Sequence, residues 1–144
     1  IRDSLVGSEM CIRDRIHAGW KGAFKGIVKK TIQLLKKNGC SEKDMIACIG
    51  PCIKKNSYEV KIDFFKLFKD KNKKNVNFFT FKRKKIYFDL SEYIKSQFYE
   101  NGVKKIDIIK KDTYALENNF FSSRRSKKNK HNDYGRNISA IMIK

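Results

Sequence analysis

Proline, histidine and acidic residues are scarce in this chain of 144 residues. It has one Pro, two His and 15 Asp+Glu, against 34 Lys+Arg. Apolar runs are short, and none approaches the length that spans a bilayer, so a membrane protein of the helical kind is not expected. A charged start, an apolar segment and a small-residue cleavage site do not occur in that order, so a cytoplasmic protein is expected. The four cysteines, Cys11, Cys40, Cys48 and Cys52, lack metal-finger spacing, because no second Cys or His pair answers Cys48 and Cys52. A disulfide framework is not expected in a cytosolic chain of this size, and reduced thiols are the default.

The net charge of +19 points first to nucleic acid. Its distribution argues otherwise. Lys is scattered through every segment and travels with abundant Asn, Ile, Phe and Tyr, as AT-rich codon usage produces. Non-specific, salt-dependent polyanion binding is expected, and a dedicated nucleic-acid site is not.

The stretch Ile16-His17-Ala18-Gly19-Trp20-Lys21-Gly22 holds one of the two His, the one Trp and two of the eight Gly. Behind it, Phe24, Ile27, Val28, Thr31, Leu34 and Leu35 recur at spacings of three and four. The pattern predicts one helix over residues 20–38, roughly 28 Å long, stopped by Asn38-Gly39. His17 and Lys21 would sit at its mouth. Free N–H groups and partial positive charge there suit an anion such as phosphate. His17 could ligate a metal or move a proton, or be an ordinary solvated imidazole.

Further along, Met45–Gly50 reads as a buried strand with Cys48 in the core, and Gly50-Pro51-Cys52-Ile53 as a loop. An amphipathic helix is predicted over Tyr58–Phe68 and an exposed loop over Lys69–Asn77. Strands are predicted at Phe78–Phe81 and Ile86–Phe88, with their aromatics in the core and Lys82-Arg83-Lys84-Lys85 as a solvated turn. Asp89 with Glu92 resembles a capping box for a helix ending at Asn101-Gly102. Val103–Ile109 reads as a strand, and Arg136–Ile143 as the strand that closes the sheet. His131 reads as solvated. In Phe120–Arg125, Arg124 and Arg125 offer planar forks that clamp phosphate or carboxylate, or else ordinary surface ion pairs.

Residues 1–15 contain no Lys, unlike the rest. They resemble translated sequencing-adapter read-through, and they are set aside as non-native, leaving 16–144 as the C-terminal part of one domain.

Four motifs occur in order: His17-Ala18-Gly19-Trp20-Lys21-Gly22; Ile49-Gly50-Pro51-Cys52-Ile53 with Tyr58-Glu59-Val60; Phe120-Phe121-Ser122-Ser123-Arg124-Arg125; and Gly135-Arg136-Asn137-Ile138-Ser139-Ala140-Ile141. Together they resemble the laccase-domain, or polyphenol oxidase-like, family, whose members are regarded as purine nucleoside phosphorylases. The resemblance implies an α+β fold of mixed sheet layers flanked by helices, the laccase-domain (cytotoxic necrotizing factor-like) fold, here incomplete at its N-terminus.

It further implies phosphorolysis of adenosine, inosine and methylthioadenosine, with deamination of adenosine beside it. Zinc, with copper as the alternative, would be bound by His17 together with a His in Gln-x-His-Gly and a Cys in Ala-Asp-Cys. Neither of those two motifs is in this sequence, so His17 would be one ligand of three. Two histidines in all cannot supply a multicopper oxidase.

By the same resemblance, the Cys52 loop lies by the active site. Cys52 is then either a nucleophile or a wall of the pocket. Lys21, Arg124 and Arg125 would bind phosphate, with His17, Cys52 and Arg124 the catalytic candidates. Lys21 stands where the family usually has Arg, which keeps the charge and loses the fork. Asp112-Thr113 stands near where the family often has Cys-Thr. The expected partners are purine nucleosides and phosphate, with no specific nucleic acid and no membrane, and a homodimer is left open. The alternatives are a basic nucleic-acid-binding module, a Cys-His hydrolase, or a piece inactive by itself.

Overall fold

Residues 13–130 and 135–141 are described by a computed structural model of the chain. Cys11, His131 and positions 142–143 of the expected closing strand lie outside them.

The single helix predicted over 20–38 is two: α1 (Trp20–Phe24) and α2 (Ile27–Lys37). The break is Gly26, which adopts a left-handed backbone at φ +77, a conformation that L side chains resist. Apolar spacing ran on across it because both pieces bury the same side of the chain, through Ala23 in α1 and Val28 and Ile32 in α2. Leu34, expected inside, is exposed.

β1 (Ile46–Ile49) pairs in parallel with β5 (Lys105–Ile108), in the register Ala47↔Ile106. A second sheet is antiparallel, with β4 (Lys85–Phe88) between β2 (Glu59–Val60) and β3 (Phe79–Lys82). The architecture is α+β with small sheets, as expected, although no strand joins the two sheets among the described residues. Ala47 and Ile49 are buried, whereas Cys48 and Ile46 lie on the exposed side of β1. Cys48 is therefore not a core residue. Successive strand side chains alternate sides, and α4 (Leu90–Glu100) packs on this sheet.

Two other expectations change. The segment from Tyr58 opens with β2 rather than helix, and α3 covers Ile62–Lys71. The Lys/Asn-rich stretch is not an open loop: Lys73–Phe78 forms a 3-10 helix capped by Asn72. Within it Asn75 is buried and donates to the Phe68 carbonyl at 2.8 Å. Residues 135–141 form no strand, and Ile138 is 93% exposed. Their alternation lacks a partner strand here, and Asn137 instead exchanges two hydrogen bonds with the Phe121 backbone, at 2.9 and 2.8 Å. The capping prediction holds on one side, since the Asp89 side chain accepts from Glu92 N at 3.0 Å.

The core is aromatic. Phe68 is fully buried and meets Phe24, Phe64, Phe79, Phe88 and Tyr93, with ring centroids 4.7–5.8 Å apart. It thereby joins α1, α3, both strands of the β3–β4 hairpin and α4. Phe68→Ala is expected to cost about 3–5 kcal/mol. Phe81→Ala, at a ring 61% exposed, should cost under about 1 kcal/mol. Urea unfolding of the two variants checks the contrast.

Candidate functional site

His17 is exposed and its imidazole leans over the loop that follows. A Cβ placed on Gly19 would lie 3.0 Å from His17 Nε2, so the bare backbone of Gly19 is what lets the ring rest there. The Gly19 carbonyl accepts from Ala23 N at 2.9 Å to start α1. Only five residues long, α1 carries little dipole, and the long helix α2 begins beyond Gly26. The helix-mouth attraction expected for an anion is weaker than the sequence suggested. The charge itself remains: Lys21 is exposed, its Nζ 5.6 Å from the centre of the Trp20 ring.

A chain of rings runs from this loop to the late arginines. Trp20 meets Phe64 edge-on at 5.0 Å, and Phe64 meets Tyr58 at 6.3 Å. The Arg124 guanidinium lies 5.2 Å from the Tyr58 ring, and Arg124 Nη2 donates to the Glu59 carbonyl at 2.9 Å. Tyr58 is buried, and burial raises its phenol above the usual range, with the neighbouring Arg124 opposing that shift. Arg124 is itself exposed, on α5 (Ser123–Lys128), which Ser122 caps by accepting from Arg125 N at 3.3 Å.

Arg125, expected to clamp phosphate, is otherwise engaged. It donates to the carbonyls of Thr113, Tyr114 and Phe120 at 3.2, 2.8 and 2.6 Å. Those bonds pin the start of α5 to the segment after β5. The two adjacent arginines therefore differ in exposure, Arg124 facing solvent and Arg125 half-buried.

Cys52 lies on the same side of the fold as that latch. It forms a parallel bridge with Asp112, and its carbonyl accepts from Thr113 N at 3.2 Å. Burial pushes the Cys52 thiol up, while Lys54, whose Nζ is 3.7 Å from Sγ, and Ser91 pull it down, and the Asp89 charge adds to the rise. A thiol nucleophile needs the opposite balance, a lowered pKa. Burial at Cys52 therefore weighs against a thiolate nucleophile there.

Asp112 is the residue the sequence reading passed over. Its carboxylate accepts from Lys54 N at 3.2 Å, Ser57 Oγ at 2.6 Å and Tyr114 N at 2.8 Å. It ties the Cys52 loop to the segment that Arg125 holds from the other side. The one signal in the sequence was its place beside Thr113, where a Cys was expected. Arg15 Nη1 donates to the Ser139 carbonyl.

The described residues contain no group of three or more His, Cys, Asp and Glu placed to hold a metal ion. Among the described residues, His17 is thus a single candidate donor. No helix among the described residues is long and apolar enough to cross a membrane.

Alkylation checks the Cys52 loop. Exposed Cys48 should react with iodoacetamide well before Cys52, whose rate should climb only above the ordinary thiol range, near pH 8.5. Asp112→Ala should release the loop and speed Cys52 at least about tenfold, leaving Cys48 unchanged, as peptide mass spectrometry would read.

A family profile described as "Multi-copper polyphenol oxidoreductase laccase" matches residues 12–144. A purine nucleoside phosphorylase of Rickettsia conorii is 37% identical over 131 residues, 89% of this chain and 53% of that protein. One of Aquifex aeolicus is 38% identical over 109 residues, 76% of this chain and 48% of that protein. The chain spans about half the length of these relatives. Among solved structures, the hypothetical protein YfiH of Bacillus licheniformis superposes with a TM-score of 0.68 at 26% identity, over 77% of this chain and 43% of that one. With its motifs, its fold and these relatives in agreement, the chain belongs to the laccase-domain family.

Proposed function

We propose that this chain carries part of the active site of a purine nucleoside phosphorylase acting on adenosine, inosine and methylthioadenosine. The observation that carries the reading is the run of core ring contacts that links Trp20 through Phe64 and Tyr58 to Arg124, with exposed cations at both ends. Exposed cations suit phosphate. The names of the relatives, all purine nucleoside phosphorylases, support it.

In phosphorolysis a phosphate oxygen bonds to the anomeric carbon as the bond from that carbon to the purine nitrogen breaks. The purine leaves with a proton, and the sugar leaves as its 1-phosphate. Arg124, anchored at the Glu59 carbonyl and stacked on Tyr58, would present phosphate in a fixed orientation, and Lys21 would add charge without a fork. Cys52 would line the pocket, Arg125 and Asp112 would hold its walls, and His17 would give or take a proton at the leaving base.

Zinc, or copper in its place, would take His17 as one ligand and would supply an activated water for adenosine deamination. The described residues alone do not complete that site, so no step here depends on it. A cytoplasmic setting, where nucleosides and phosphate are both at hand, goes with this reading.

The test is phosphate-dependent release of hypoxanthine from inosine, followed in a chain extended to the length of the relatives. Arg124→Ala should lower kcat/KM about a hundredfold or more, while Arg125→Ala should act chiefly by lowering the melting temperature. No release from folded protein, or release indifferent to phosphate, would reject the reading.

A further inference from the structure

We propose that the tip of the β3–β4 hairpin binds single-stranded nucleic acid without sequence preference, Phe81 stacking on a base while Lys82, Arg83 and Lys84 hold phosphates. The observation is a cluster of broken local rules at one place. Arg83 and Lys84 both have left-handed backbones, at φ 49 and 61. A two-residue hairpin turn of that shape favours Asn-Gly, and long side chains there are strained.

Beside them, Lys82 and Lys85 are direct cross-strand partners, so like charges face each other. Glu59 relieves only Lys85, at 2.8 Å, and among the described residues no ion pair reaches Lys82, Arg83 or Lys84. Phe81, expected in the core, is instead 61% exposed. Its ring meets Phe65 edge-on, with centroids 5.2 Å apart at 81°.

Codon bias explains many lysines, but it does not explain three destabilising placements within four residues around an exposed aromatic. A polyanion would offset the like charges at the tip, and base stacking on an exposed ring needs no sequence readout. The cations occupy the tip and the ring stands behind them, which suits a strand laid along the hairpin better than a lipid surface, where the apolar group would lead.

The test exploits the turn. Arg83→Asn with Lys84→Gly removes two charges and supplies the favoured turn, so the variant should fold as well as the parent or better. A control, Lys29→Gln with Lys30→Gln, removes the same charge from α2. Binding of a fluorescein-labelled oligouridylate about ten nucleotides long is read by anisotropy near 0.1 M salt. The turn variant should lose about tenfold or more in affinity and the α2 control less than about threefold. Phe81→Ala should weaken binding about tenfold while leaving the salt slope unchanged. Equal losses in the two charge variants would leave only the diffuse charge of the chain and overturn the proposal. So would an unaffected Phe81→Ala, or binding to phosphatidylserine vesicles with none to the oligonucleotide.

Discussion

The packing of aromatic rings around Phe68 and Phe64 is the constraint on which the rest of the fold depends. Phe68 stacks on Phe64 at 4.7 Å and 25°, and the pair stands between α1, α3, α4 and the β3–β4 hairpin. Neither sheet is large enough to be stable alone, since one has two strands and the other three short ones. The rings supply the burial that the sheets lack. Trp20 and Tyr58 both rest on Phe64, so the loop bearing His17 and the ring beneath Arg124 share one neighbour.

Around that apolar hub a polar latch fixes the far wall. Asp112 gathers Lys54, Ser57 and Tyr114, and Arg125 gathers three carbonyls on the next stretch of chain. Hydrogen bonds to charged groups contribute more than neutral ones, and removing either charge would leave several partners unsatisfied. Adjacent arginines thus divide the work. Arg125 is turned inward to hold the frame, and Arg124 stays where a ligand can reach it. Sequence alone could not separate them, because both are Arg in one motif and only the backbone of α5 decides which points where.

Much of the framework was legible. The β3–β4 hairpin, the cap at Asp89, the stop at Asn101 and Gly102 and the strand after Val103 followed from local chemistry. Long-range choices were not. Gly26 fits a helical pattern equally well as a residue within it or as a left-handed break, and only packing chose the break. Cys48 reads as buried inside an apolar run, but a two-stranded sheet covered on one side exposes every second residue. Residues 135–141 alternate like a strand, yet Asn137 spends its side chain on Phe121 instead. The motifs identified the family. Which of their side chains are held inward needed geometry, as Arg125 and Asp112 show.

The proposed function requires that the His17–Trp20 loop and Arg124 serve one anion-binding site. Trp20, the one tryptophan of the chain, reports on it directly. Inorganic phosphate titrated into the protein should change Trp20 fluorescence saturably, and Arg124→Ala should abolish that change while leaving the starting spectrum intact. A response that does not saturate, or one identical in Arg124→Ala, would contradict the account.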